Sequence, residues 1–201
     1  MQNPDECHLP LNDIECYNKR MLIMKKLIIL IIATIFTLEL FAQSNSVVTE
    51  NIKGDGYTYV KETLNNTLKI KLYNKENKYA NVPLVYKDTG ESPDYDLQEN
   101  RVEDDDWTSL RSEHIVNTIL KRNYKQTVLG SKLGIGIYID SATGKVIGVD
   151  YRFLETSPLA EVPISVFREI ELRMKDEIHF TLTDTGRKYN YLYFGWIQVI
   201  E

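Results

Sequence analysis

Apolar and polar residues alternate along two neighbouring segments of the chain, at positions 133 to 139 and 146 to 153. The alternating apolar residues are Ile135, Ile137 and Ile139 in the first segment and Ile147, Val149, Tyr151 and Phe153 in the second. A period of two predicts β-strands that each bury one face. The intervening turn, DSATGK, contains Gly144, for which we expect a positive φ, so the pattern predicts a hairpin.

Three glycines, Gly134, Gly136 and Gly148, fall on the opposite face of this hairpin. Positions without a side chain on one face of a strand predict the close approach of another backbone or of the upstream helix. A dinucleotide loop would need a third glycine where the chain has Ile139, followed by a helix. A calcium loop would need oxygen ligands at positions 142 and 144, where the chain has alanine and glycine. The pattern therefore indicates a structural hairpin.

Two other segments show helical periodicity. The downstream one, from 162 to 178, has Pro163 in its first turn and apolar residues at spacings of three and four. These residues are Ile164, Phe167, Ile170, Met174 and Ile178. The upstream one begins at Asp106 as an N-cap, carries basic residues near its end and stops at Gly130. Its partial apolar stripe consists of Leu110, Val116, Ile119 and Leu120.

The order of these segments predicts an α+β fold, in which an antiparallel sheet carries amphipathic helices on one face in the order α-β-β-α-β-β. The last two strands are expected as a hairpin from IHFTLT to YNYLYFGWIQVIE. Short strands at 43–90 form a β-rich segment that must pack against the domain at 107–201 to be stable. Between them, eight of the sixteen residues at 91–106 are acidic, which favours a solvated linker over a calcium site.

The N-terminal region reads as an export signal. Residues 24–42 combine Lys25 and Lys26 with an apolar run too short to span a bilayer, and we expect cleavage near Ala42/Gln43. An uncleaved anchor is the alternative. Residues 1–23 are then explained by a start codon that was assigned too early, or they form a disordered leader. Both cysteines, Cys7 and Cys16, precede the cut, so the mature chain has no disulfide and no thiolate chemistry.

The net charge of the mature chain excludes further classes of function. Removal of residues 1–42 leaves 20 basic and 24 acidic side chains, which predicts no electrostatic footprint for nucleic acid or anionic lipid. After cleavage no stable membrane anchor remains, and the protein is expected in the periplasm or outside the cell.

The segment from Trp107 to Glu201 resembles the C-terminal domain of TonB, on the strength of IYIDSATGKVIGVDYRF before a helix and an apolar final strand. The turn is also similar, more weakly, to the hairpin of PepSY domains. As a whole the chain resembles small secreted proteins of Bacteroides-type bacteria. A TonB-like fold would not imply energy coupling, because the stretch from Gln43 to Asp106 has only Pro83 and Pro93 in place of a proline-rich spacer.

No catalytic constellation is visible in the mature sequence. His114 and His179 have no ligand spacing, so we expect no metal and no cofactor. We therefore expect a binding module rather than an enzyme. Its partner would be an envelope protein or peptide, and the candidate partner surface is the tyrosine-rich end of the chain: Tyr189, Tyr191, Tyr193 and Trp196. A PepSY-like inhibitor or chaperone of an exported enzyme is the alternative, and a hydrolase ranks below both.

Overall fold

The structure, a computed structural model, describes residues 47–64, 66–94, 100–103 and 106–201. The expected leader, the signal peptide and part of the acidic linker lie outside these residues. The strands are β1 (Val47–Lys53), β2 (Thr58–Leu64), β3 (Lys69–Asn74), β4 (Lys132–Ile139), β5 (Val146–Leu154) and β6 (Leu192–Val199). The helices are α1 (Asp106–Val128) and α2 (Ile164–Glu177), with 3₁₀ turns at Pro158–Glu161 and Gly186–Lys188.

The six strands form one antiparallel sheet in the order β1-β2-β3-β5-β4-β6. The predicted α+β class is confirmed, with a β-rich segment ahead of the helices. The predicted hairpin is β4–β5, and Gly144 in its turn has a φ of 77°. Strands β1 to β3 join the same sheet because β3 pairs with β5, from Lys69 opposite Leu154 to Tyr73 opposite Asp150.

Helix α2 closes one face of the sheet, called the helix face below. The Phe167 ring lies 4.9 Å from the ring of Tyr151 and 5.7 Å from that of Phe153. The Tyr151 hydroxyl donates a hydrogen bond to the Phe167 carbonyl at 2.7 Å. Ile137 and Val149 are buried in the same apolar cluster, as their alternation predicts. Each such side chain contributes about 1.5–3 kcal/mol on burial.

Helix α1 packs against α2 through an apolar stripe that the sequence pattern predicted only in part. Val116, Ile119 and Leu120 are buried as predicted, whereas Leu110 is 66% exposed. The helix ends before Gly130, whose φ of 77° is the left-handed conformation common after a helix. The amide of Gln198 on β6 donates to the Glu113 carbonyl at 3.0 Å, which ties the last strand to this helix.

The structure differs from the predicted pattern at two places. A β-bulge between Tyr138 and Ile139 sets Val146 opposite Ile139, so Val146 rather than Ile147 is the buried residue at that end of β5. Residues 179–183, expected as a strand beside the last one, make only isolated bridges. Their backbone groups pair instead with the β4–β5 turn and with residues 101–103, so no hairpin to β6 forms.

Gly144 and Gly56 provide a matched test of the hairpin turn. Both have φ near 75°, but a Cβ at Gly144 would lie 2.0 Å from the Phe180 carbonyl oxygen, while Gly56 has nothing within 4 Å. Gly56→Ala should cost about 1 kcal/mol of unfolding free energy, the ordinary penalty for a left-handed residue. Gly144→Ala should cost clearly more, measured by urea denaturation. Equal losses would contradict the contact between the turn and residue 180.

Candidate binding surface

The sheet face opposite the helices, called the open face below, is covered at one end by the chain's own segment 75–94. The Tyr79 ring lies 4.7 Å from Tyr191, and the Tyr86 ring stacks on Tyr189 at 4.7 Å. The Tyr191 hydroxyl donates to the Val82 carbonyl at 2.6 Å. These tyrosines therefore hold the covering segment in place.

This arrangement divides the four residues predicted as a partner surface. Tyr189 is fully buried and Tyr191 is 5% exposed, because segment 75–94 lies on them. Tyr193 and Trp196 are half-buried. Side chains alternate along a strand, so Tyr193 points to the open face and Trp196 to the helix face. The structure thus brings two of the four to the surface, on opposite faces of β6.

Side chains, not a backbone, occupy the space beside two of the hairpin glycines. A Cβ at Gly136 would lie 2.0 Å from the Tyr193 hydroxyl oxygen, and one at Gly148 would lie 2.5 Å from the Asn77 side chain. The expected approach of another backbone or of the upstream helix is therefore incorrect at these positions. Glycine is needed there because the open face packs its own polar side chains against the strands.

Asp150 is the centre of a buried polar cluster on the open face. Its Oδ2 accepts hydrogen bonds from the hydroxyls of Tyr138 at 2.9 Å and Tyr193 at 3.4 Å and from Arg152 Nη2 at 3.3 Å. Arg152 Nε lies 3.2 Å from Oδ1 in an ion pair without hydrogen-bond geometry. Burial, reinforced by the charge of Asp150, raises the pKa of Tyr193 to about 12 and that of Tyr138 further, so both hydroxyls stay protonated as donors.

Beyond this cluster none of the described residues covers the open face, which forms a groove of about 810 Å³, called the open-face groove below. Its apolar lining includes Leu64, Leu154 and Ile197, and its floor contains Gly134 and Gly195. A Cβ at Gly195 would make only ordinary contacts of 3.4 Å or more. The glycine therefore leaves real space above the sheet at this point.

Every charged residue that the described part of the chain contributes to the groove lining is basic: Lys69, Lys71, Lys132 and Arg152. Lys71 and Arg152 lie directly opposite each other across β3 and β5. Like charges at opposed positions repel, which makes this pair costly. The Lys71 ammonium donates to the Ala80 carbonyl at 2.9 Å, and the Arg152 guanidinium turns towards Asp150.

Of the strands that the structure describes, β6 pairs with β4 alone and so forms one edge of the sheet. Its exposed side chains are apolar: Ile197 is 74% exposed and Val199 is 48% exposed. The opposite edge strand, β1, carries Glu50 and Lys53. Charged residues are a common protection of sheet edges against pairing with other chains, and β6 has none from Leu192 to Val199.

A second buried carboxylate, which the sequence analysis missed, lies on the helix face. Glu171 is fully buried; its carboxylate accepts hydrogen bonds from the Tyr59 hydroxyl at 2.5 Å, Arg168 at 2.9 Å and Lys175 at 2.6 Å. Asn74 donates at 3.1 Å. Burial alone would raise the pKa of Glu171, but the hydrogen bonds, led by Lys175 and Tyr59, hold it below the usual value. The signal in the sequence is the basic residues three before and four after it.

His114 and His179 are exposed on different elements, α1 and the segment after α2. The described residues contain no cluster of three or more metal-binding side chains. Within the same residues, no helix has the length and apolarity needed to cross a membrane.

The fold and this surface define a small α+β protein with one sheet face closed by helices and one face only partly covered. The chain belongs to the DUF5043 family, described as a domain of unknown function, whose model matches residues 46–196. It is similar to the crystal structure of a DUF5043 family protein from Bacteroides uniformis ATCC 8492. The two share 33% identity and a TM-score of 0.69 over 75% of this chain and 90% of that chain. No curated protein matches. The resemblance to TonB and PepSY domains stays a prediction.

The Glu171 cluster predicts a specific pH dependence of stability. Its pKa is lower in the folded chain, so the carboxylate stabilises the fold above the unfolded pKa of about 4.3. This contribution disappears as the pH falls through the folded pKa. Glu171→Gln should be less stable at pH 7 by about 1–3 kcal/mol and should lose less stability than wild type on acidification below pH ~4.5.

Chemical denaturation at pH 7 and at pH values from about 5 to 3 measures both effects. Glu169→Gln is the matched control, since Glu169 on the same helix forms a solvent-exposed ion pair with Arg122. An acid-induced loss in Glu171→Gln as large as that in wild type would contradict the role assigned to the cluster.

Proposed function

We propose that the protein is a non-catalytic binding module of the cell envelope that pairs β6 with an extended strand of another polypeptide. The observation that carries the proposal is the outer edge of β6, which pairs with no strand in the described residues, exposes Ile197 and Val199 and has no charged residue. An unpaired edge presents a row of backbone donors and acceptors, and strand addition satisfies them.

The contrast between the two edges supports this choice. Strand β1 is also an edge strand, but Glu50 and Lys53 stand on it, as is common on edges that must stay unpaired. On β6, Trp196 and Tyr193 flank the edge on opposite faces and are half-buried. Aromatic side chains of this kind provide apolar area and hydrogen-bonding groups at protein interfaces. A partner strand beside β6 would contact both.

A non-catalytic role fits the state of the buried carboxylates. Among the described residues, Asp150 and Glu171 are the fully buried acids, and each is engaged by several donors of the protein itself. A catalytic acid or base needs an oxygen within reach of substrate. Both carboxylates are explained by the structural contacts that they make.

Export is part of the proposal and rests on the sequence. Residues 24–42 have the basic start, apolar run and small residue before the cut that are typical of a signal peptide. The partner of β6 would then be another protein or peptide of the envelope.

The docking role of β6 is testable by site-specific photocrosslinking. A benzoylphenylalanine replacing Val199 should crosslink the protein to a discrete partner in a native cell-envelope extract. Val48 on β1 is the matched control, since it is 55% exposed on the other edge, and the probe there should not capture that partner. Val199→Lys should weaken co-purification at least about tenfold, because a lysine must be desolvated or displaced on pairing, while Val48→Lys should not. Equal capture at both positions, or no effect of Val199→Lys, would contradict the proposal.

N-terminal sequencing tests export. Protein isolated from the native cell envelope should begin near Gln43. Recovery of chains that retain residues 27–38 in the membrane fraction would contradict cleavage.

A further inference from the structure

We propose that the open-face groove binds an anionic amphiphile with a long apolar chain. The head group would lie between Lys71 and Arg152, and the apolar chain would cross Gly134 and Gly195 towards Ile197. This site shares Ile197 with the edge of β6, but the inference does not depend on strand pairing there.

Charge complementarity indicates the sign of the charge on the ligand. The whole chain has a net charge of −5, yet the described residues that line the groove include four basic ones and no acidic one. Lys69 and Lys132 are exposed and form no ion pair among the described residues. A concave surface with one sign of charge concentrates ligands of the opposite sign.

The opposed pair Lys71 and Arg152 marks where the head group would lie. Glu62 faces Lys71 from β2, but its carboxylate accepts a hydrogen bond from Tyr73 at 2.6 Å and lies outside the groove lining. Asp150 offsets the charge of Arg152, whose side chain stays 53% exposed. An anionic group between the two cations would relieve their repulsion, and a guanidinium is well suited to bind a carboxylate or phosphate.

The apolar part of the groove indicates the chemical nature of the rest of the ligand. Leu154 is 49% exposed and Ile197 is 74% exposed, and the glycines between them leave a trough over the strands. Its volume of about 810 Å³ lies within the usual range of small-molecule sites. Covering these side chains by an alkyl chain would remove apolar surface from water.

The position of the groove favours an alkyl chain over a polypeptide. Strands β4 and β5 under it are paired on both sides, so their backbone groups are already used. A polypeptide crossing this floor would bury its own peptide groups without partners, which is costly, whereas an alkyl chain has none. A strand added beside β6 would lie three strand spacings from β5, roughly 14 Å, too far for most of its side chains to reach Arg152.

The test uses full-length protein with Trp107→Phe, which leaves Trp196 as the one tryptophan. Trp196 lies on a strand that lines the groove, and its indole is on the helix face of that strand, one sheet thickness from the proposed ligand. 9,10-Dibromostearate at monomeric concentrations is titrated while tryptophan fluorescence is recorded, since bromine quenches nearby indoles. We expect saturable quenching with one site per chain. The uncharged methyl ester should bind at least about tenfold more weakly, because it lacks the anionic head group.

Variants in this background locate the site. Lys71→Gln should weaken binding of the acid about tenfold and leave the ester unchanged, as expected for one lost charged contact. Arg152→Gln should act in the same way if the variant folds, which circular dichroism checks because Asp150 loses its cation. Gly195→Val should weaken both ligands by filling the trough. Lys121→Gln on α1 is the control for a change in surface charge and should bind as the parent does.

Three results would overturn the proposal: equal affinity for the acid and the ester, unchanged binding in both Lys71→Gln and Gly195→Val, or absence of saturable quenching. Polyglutamate and phosphatidylglycerol vesicles are titrated in parallel. Binding of either one that depends on Lys71, without quenching by dibromostearate, would assign the groove to a polyanion instead. Val199→Lys lies outside the groove and should retain dibromostearate binding, so failure of this proposal and failure of strand pairing at β6 remain distinguishable.

Discussion

The pairing of β3 with β5 is the interaction on which the rest of the structure depends. It joins strands that are far apart in sequence, so folding must first meet the entropic cost of closing the long intervening chain. Once formed, it brings Tyr59 and Asn74 within reach of Glu171 on α2 and sets Lys71 opposite Arg152. The buried carboxylate of the helix face and the basic groove of the open face are therefore two consequences of one strand pairing.

The two faces of the sheet are closed by different means. Apolar side chains of α1 and α2 cover the helix face, and the aromatic rings of Tyr151, Phe153 and Phe167 interlock there. Within the described part of the chain no helix lies on the open face, and segment 75–94 covers one end of it through tyrosine contacts. Much of the tyrosine content of this chain is thus used for internal packing, where a ring fills space and a hydroxyl satisfies a backbone carbonyl.

Two buried carboxylates stabilise this architecture by the same principle. A charge removed from water is tolerated when donors surround it, and Glu171 and Asp150 each have cationic and hydroxyl partners. Their surroundings differ in one respect. Glu171 is enclosed between helix and sheet, while the Arg152 partner of Asp150 extends into solvent at the groove. The same arginine can therefore complete a structural cluster and present part of its guanidinium to a ligand.

The alternation of isoleucine and glycine, the helical spacing around Phe167 and the turn at Gly144 determined the hairpin, the amphipathic helix and the α+β class without any structure. These features depend on contacts between near neighbours, which leave a period in the sequence. The order of the strands, the burial of Glu171 and the division of the tyrosine-rich end between core and surface depended on partners far away in the chain. Tyr189 and Tyr193 look alike in sequence, and only tertiary contacts, among them the stacking of Tyr86 from segment 75–94, make Tyr189 internal. The groove likewise has no local signature, because its four basic residues come from three different strands that only the tertiary fold brings side by side.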